Sequence, residues 1–161
     1  MAYTPSLAWS LLPGILPALL CLVFVFFVIQ WIVARPTGTP KMQEIAQYIH
    51  EGAMAFMKQE YTVIFSCIGV VALLIWAAIG SVEMIHFVFG SVASAVSGII
   101  GMSVSIRANV RTTAAAQRSV SEALSVAFFS GTVMGMVVVS FVISGQAILY
   151  WIFEDDLALS G

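Results

Sequence analysis

Charge is what this chain has least of. Of its 161 residues only 9% are Asp, Glu, Lys or Arg, against about 25% in an ordinary soluble domain. Lys and Arg together number six, with no basic stripe or aromatic platform of the kind a nucleic-acid surface needs, so nucleic acid is not expected as a partner. No Lys or Arg precedes the first apolar run. The cationic start of a secretory signal is therefore missing, and the run is too long for one. Cysteine occurs twice, as Cys21 and Cys67, each inside an apolar segment. Two lone thiols so placed suggest neither a disulfide framework nor a metal site and are read as apolar filler.

What fills the chain instead is hydrocarbon. The hydrophobic fraction is 61% and the mean hydropathy +1.05. Four apolar runs stand out, at about 11–34, 62–80, 87–106 and 123–153, each long enough to cross a bilayer. The expectation is an all-α integral membrane protein of four transmembrane helices, one membrane domain over 1–161. The six basic residues fall in two of the five stretches outside the spans. Arg35, Lys41 and Lys58 follow the first run; Arg107, Arg111 and Arg118 follow the third. Cytosolic loops are the ones enriched in Lys and Arg, so 35–61 and 107–122 are expected in the cytosol and both termini outside it. A prokaryotic plasma (inner) membrane is the default location.

The first span begins with Pro13, Gly14 and Pro17, expected to kink or fray its outer end. Trp31 lies near its inner end, where an indole commonly sits at headgroup level. After the turn Pro36-Thr-Gly-Thr, Thr39 is placed to cap a helix with Pro40 at its first position. Met42, Ile45, Ile49, Gly52 and Phe56 then recur at steps of three and four, an amphipathic face. No breaker separates it from the second span, so the second helix extends on the cytosolic side. The fourth is also expected to be long and to tilt or protrude, behind the capping box Ser119-Val-Ser-Glu122. A short outer turn is expected over Gly80–His86.

Small residues repeat on the third and fourth spans. Gly90, Ser94 and Gly98 recur every four, Ser97, Gly101 and Ser105 form an adjacent stripe, and Ala127, Gly131 and Gly135 continue on the fourth. Such stripes let helix backbones approach closely, so Gly90, Ser94, Gly98, Gly101, Gly131 and Gly135 are candidate packing positions. No span carries an ionisable residue in its apolar core, whereas ion and proton pathways normally do. Serines, threonines and Gln146 are the polar side chains at depth, open to satisfaction by neighbouring helices.

The basic stretches carry the sharper candidates. Arg107 and Arg111 lie one turn apart if helix continues past the third span, with Arg118 near the same face. They are read first as anchors to lipid phosphates that set topology, and second as cations drawing an anionic substrate to a cytosolic mouth. Asn109 is read as a cap or backbone hydrogen-bonder at the helix exit. His50-Glu51 has no second histidine at i+4 and is read as solvated or ion-paired. Glu60 is a candidate partner of Lys58, Glu83 and His86 are solvated positions in the outer turn, and Glu154-Asp-Asp156 is the acidic outer end.

Three stretches carry a resemblance. Gly38-Thr-Pro-Lys-Met-Gln-Glu-Ile-Ala-Gln-Tyr-Ile-His-Glu-Gly-Ala-Met-Ala-Phe-Met-Lys-Gln-Glu-Tyr61 resembles the segment entering the second helix of the membrane-bound, ion-pumping inorganic pyrophosphatases. Gly98-Ile-Ile-Gly-Met-Ser-Val-Ser-Ile-Arg-Ala-Asn-Val-Arg-Thr-Thr-Ala-Ala-Ala116 resembles that family's third helix and the loop after it, and Gly131-Thr-Val-Met-Gly-Met136 its fourth. G-M-x-x-x-x-R-A-N-V-R is the most specific of these. The likeness spans about residues 11–150, in the same order and spacing. It implies the N-terminal, outer-ring helices of a much larger homodimeric pump. That pump would hydrolyse cytosolic pyrophosphate with magnesium and export protons or sodium ions. Its acidic motifs lie on later helices, so no catalytic, cofactor-binding or metal-binding role carries over to any residue of this chain.

The residues concur. Phosphoryl transfer to water needs several carboxylates around magnesium and cations on the phosphates, and the expected cytosolic acids are only Glu44, Glu51, Glu60 and Glu122. Two classes of function remain. In one the chain is a fragment of a pyrophosphate-energised pump, not catalytic alone, surrounded by lipid and the remaining helices. In the other it is a self-contained four-helix membrane scaffold or assembly protein without enzymatic activity.

Overall fold

A computed structural model describes residues 7–152, with side chains for residues 14–152. Phe153, the last residue of the expected fourth span, and Glu154, Asp155 and Asp156, its expected acidic flank, lie outside the described residues. Four helices make up the described residues: α1 (Leu7–Val33), α2 (Pro40–Ala78), α3 (Ser81–Ala116) and α4 (Val120–Ile152). Each is long and apolar enough to cross a membrane, and the protein is an all-α integral membrane protein.

Local chemistry accounts for the boundaries. α1 passes Pro13, Gly14 and Pro17 without a break, since helix is the one conformation that satisfies a lone spanning segment's backbone in lipid. At the start of α2, Thr39 is the N-cap, its Oγ1 accepting from the Met42 amide at 3.4 Å, with Pro40 at the first turn. Gly38, before the cap, has φ +76°, a conformation that glycine adopts at no steric cost. α2 then runs for 39 residues, about 58 Å at 1.5 Å per residue. That is nearly twice the roughly 30 Å hydrocarbon thickness of a bilayer.

The expected outer turn over Gly80–His86 contracts to Ile79 and Gly80. Helix resumes at Ser81, with the Met84 amide donating to the Gly80 carbonyl at 3.4 Å. Glu83 in the first turn suits the positive end of the helix dipole. Glu83 and His86 are thus helical, and His86 Nδ1 lies 2.8 Å from the Val82 carbonyl. At its other end α3 does continue past the apolar stretch, to Ala116. Arg-Ala-Asn-Val-Arg-Thr-Thr-Ala-Ala-Ala contains no breaker and much alanine, the best helix former. Arg107, Asn109 and Arg111 therefore ride on a helix and not in a loop. Asn109 is seven residues short of the helix end, too far inside to cap it. Half of the expected capping box forms: Ser119 Oγ accepts from the Glu122 amide at 3.1 Å, while the Glu122 carboxylate turns to two arginines.

The helices lie side by side in the order α1, α4, α3, α2, with α1 also touching α3. One core joins Val25, Val28 and Ile32 of α1, Val104, Ala108 and Ala115 of α3, and Val126, Val133 and Val137 of α4. Buried positions repeat every seven residues, as Ala18, Val25 and Ile32 on α1 and Val126, Val133 and Ser140 on α4. That spacing keeps one face of each helix on its neighbour. α2 contributes nothing to this core and buries only Met57 and Ala72. The buried hydroxyls of Ser97 and Ser140 are satisfied within their own helices and not across them. Ser97 donates to the Ala93 carbonyl at 2.8 Å and Ser140 to that of Met136 at 2.7 Å, the i−4 back-bond open to Ser and Thr in helices.

Candidate functional site

The four arginines of the basic end come together through the last turn of α1, the exposed end of α3 and the first turn of α4. Arg35, two residues past α1, lays its guanidinium 4.1 Å from the centre of the Trp31 ring, a cation–π contact. It also reaches Glu122 Oε1 at 3.4 Å. Arg118, in the α3–α4 turn, reaches the same oxygen at 2.8 Å. Trp31 stacks edge-on against Phe129 of α4 with centroids 5.1 Å apart. The indole expected at headgroup level is thereby wedged between helices.

Arg111 acts differently. Its Nη1 donates to the Arg107 carbonyl at 2.6 Å and its Nη2 to the Val33 carbonyl at 3.1 Å. The last carbonyls of a helix have no partner within it and carry partial negative charge, so α3 supplies the cation that closes α1. Burial, and then the nearby charge of Arg107, lower the Arg111 pKa from the ordinary arginine value, and a guanidinium so placed remains charged. Arg107 and Asn109 are exposed on α3. Arg118 is thus brought to Arg35 by a shared carboxylate, and Arg111 to the end of α1, two subsets of one basic end.

The long amphipathic stretch of α2 lies along this same part of α3. Met42, Ile45 and Ile49 line a cleft of about 110 Å³ with Ile106, Val110 and Thr113. Farther on, the buried residue is Met57, and Phe56, on the expected apolar face, stays 58% exposed. The acids nearby are engaged singly. Glu44 accepts from Lys41 at 2.9 Å and from Tyr48 at 3.4 Å, Glu51 from Gln47 at 2.8 Å, and Glu122 from its two arginines. Among the described residues no group of three or more His, Cys, Asp and Glu side chains is able to hold a metal ion.

The candidate packing positions divide sharply. A Cβ on Gly101 would stand 2.7 Å from Met134 Cγ, and one on Gly98 would run into the Tyr61 hydroxyl. Here α3 meets α4 and α2 at close range. Gly90, Gly131 and Gly135 have nothing within 4 Å of such a Cβ, and all three are exposed, as is Ser94. Two further close approaches lie off the sequence stripes: Gly14 under Ala147 at 3.2 Å and Gly145 under Phe89 at 2.7 Å. No periodic signal marks either one.

Residues 19–160 match the family described as inorganic H+ pyrophosphatase. Among similar proteins is a chain of Clostridium tetani named for K+-stimulated, pyrophosphate-energized sodium pumping. It is 40% identical over 144 residues, covering 89% of this chain and 21% of that one. A K+-insensitive pyrophosphate-energized proton pump of Methanosarcina mazei is 37% identical over 142 residues, covering 87% of this chain and 21% of its own length. A K+-stimulated pyrophosphate-energized sodium pump of Thermotoga maritima is 39% identical over 124 residues, covering 76% and 17%. The chain thus spans about a fifth of the length of the curated relatives it matches.

Proposed function

The chain belongs to the inorganic H+ pyrophosphatase family, and on that premise we propose that it forms the N-terminal, outer-wall helices of a pyrophosphate-energised pump. The observation that carries this reading is a match over residues 19–160 to a family whose similar members are about four times as long as this chain. In the proposal the basic end faces the cytosol, both termini face away from it, and the membrane is a prokaryotic plasma membrane. The complete pump would be a homodimer that hydrolyses pyrophosphate and exports protons or sodium ions, the two cargoes named for its relatives.

Magnesium, which the family implies, fits poorly with the described carboxylates, no three of which gather into a metal-holding group. The ion favours oxygen ligands in octahedral array, usually one or two carboxylates plus substrate phosphates. Glu44, Glu51 and Glu122 are each held by another side chain. No step of hydrolysis is therefore assigned to these residues. Their part is mechanical: a wall of four helices stapled at its basic end, exposing to lipid and to further helices the large apolar side chains that its own core does not use.

Split expression tests the proposal. The purified chain, reconstituted with magnesium and pyrophosphate, is expected to release no phosphate above background. Co-expressed with a relative lacking its matched N-terminal part, it is expected to co-purify and restore hydrolysis that neither piece shows alone. Hydrolysis by the pure chain, or failure to associate and complement, overturns the reading.

A further inference from the structure

Of the four arginines at the basic end, two are paired with a carboxylate and two are not. Arg35 and Arg118 share the Glu122 carboxylate. Arg107 and Arg111 have no carboxylate partner among the described residues. Arg111 commits Nη1 and Nη2 to backbone carbonyls, and its Nε is buried with no hydrogen-bond partner. The Arg107 side chain is exposed and makes no hydrogen bond or ion pair among the described residues. The two lie at i and i+4 on α3, where like charges repel each other.

Their position is as telling as their isolation. Ile106, the residue before Arg107, is buried, and Val33, whose carbonyl Arg111 holds, follows the buried Ile32. The apolar run of α1 ends at Ala34 and that of α3 at Ile106, so both helices leave their apolar stretches at this level, where headgroups succeed hydrocarbon. A guanidinium presents a planar fork of donors that matches the oxygens of a phosphate. We propose that Arg107 and Arg111 form a phosphate-binding site at headgroup depth, taking either the phosphodiester of an anionic lipid or a free phosphate anion. The bound anion offsets the repulsion between the two arginines and accepts from the Arg107 guanidinium and from the second N–H of Arg111 Nη1 and Nη2, each of which gives one N–H to a carbonyl. The proposal does not depend on the pump reading.

The test uses the purified chain in a zwitterionic detergent. One arm counts phosphatidylglycerol and phosphatidylcholine retained per chain by native mass spectrometry as each lipid is titrated. The other measures inorganic phosphate binding by calorimetry. Arg107→Gln is the principal variant, because the native side chain makes no polar contact whose loss would unfold the helix. Arg118→Gln removes the same charge from an arginine already paired with a carboxylate. Arg107→Gln is expected to weaken phosphatidylglycerol binding about fivefold, the effect of one cation at an anionic surface, with phosphatidylcholine unchanged and Arg118→Gln much less affected. If phosphatidylglycerol is indifferent to Arg107→Gln while inorganic phosphate binding is lost, the site takes the free anion. Equal effects of Arg107→Gln and Arg118→Gln reduce the site to general surface charge and overturn it. Binding independent of Arg107 in both arms overturns it as well.

Discussion

A matched set of glycine substitutions separates the helix contacts this chain makes within itself from those it leaves open. At Gly101 an added Cβ stands 2.7 Å from Met134 Cγ and 3.0 Å from Met134 Cβ. The Met134 side chain is 47% exposed and its far end can swing away, but its Cβ is fixed to α4. Gly101→Ala therefore sets about 1 kcal/mol of strain against the roughly 1 kcal/mol that alanine gains over glycine in a helix, for a net change near zero. Gly101→Leu carries three more carbons into the same gap and should lose about 1–3 kcal/mol by overpacking. At Gly131 and Gly135 an added Cβ meets nothing within 4 Å, so Gly131→Leu and Gly135→Leu should gain up to ~1 kcal/mol each from helix propensity. Thermal unfolding of the purified chain in a single detergent, followed by far-ultraviolet circular dichroism, reads all four. In the split-expression assay the order should reverse: Gly131→Leu and Gly135→Leu block association with the remaining helices if their stripe is the outward-facing contact. A Gly101→Leu chain as stable as the parent would refute the close α3–α4 approach. Equal losses at all three glycines would refute the distinction between inner and open stripes.

Glu122→Gln removes the acceptor charge shared by Arg35 and Arg118. With these side chains a quarter to a half exposed, the loss should be about 1 kcal/mol or less, measured as a melting shift that shrinks in 0.5 M salt, on the order of a 4 Å screening length; an undiminished shift would mean that the pairs are not electrostatic. Gly38→Ala forces a residue with a Cβ to φ +76°, within 2.5 Å of Met42 Sδ and 3.1 Å of Ala114 Cβ. It should cost about 1–2 kcal/mol and speed amide exchange at Met42 and Gln43, while unchanged exchange there would mean that the α2 cap does not rely on Gly38.

Much of the architecture is legible because lipid leaves the chain so few options. Four apolar runs had to be helices, and Thr39-Pro40 and Ser119 mark two starts that the hydrogen bonds honour. Hydropathy, however, reports where lipid ends and not where helix ends. The third helix therefore runs on past its expected span to Ala116, carrying Arg107 and Arg111 with it, and the expected Gly80–His86 turn becomes helix. The small-residue stripes point to the right helices, yet periodicity alone does not tell Gly101, pressed against Met134, from Gly131, which faces open space. That choice is made by how α3 and α4 are rotated about their axes. The Arg35–Glu122 pair spans 87 positions, and no local pattern links its members. The resemblance, carried by the R-A-N-V-R stretch, reaches the family, while the way those arginines divide between paired and unpaired is visible only in three dimensions.

The side-by-side order of the helices has a consequence for how the chain is made. α1 packs on α4, the last helix of the four, and α2 packs on α3. From Val33 to Val120 the ribosome adds 87 residues, which at about 5–20 residues per second takes roughly 4–17 s. Through that interval α1 waits in the bilayer without α4, its main neighbour, holding at most its smaller contact with α3. It can afford to, because its described side chains up to Val33 include no charge that lipid would penalise. The arrival of α4 then closes the core, and Glu122 in its first turn brings Arg35 and Arg118 together. The staple at the basic end is set as α4 begins to join the other three helices, so its formation marks the closing of this four-helix group.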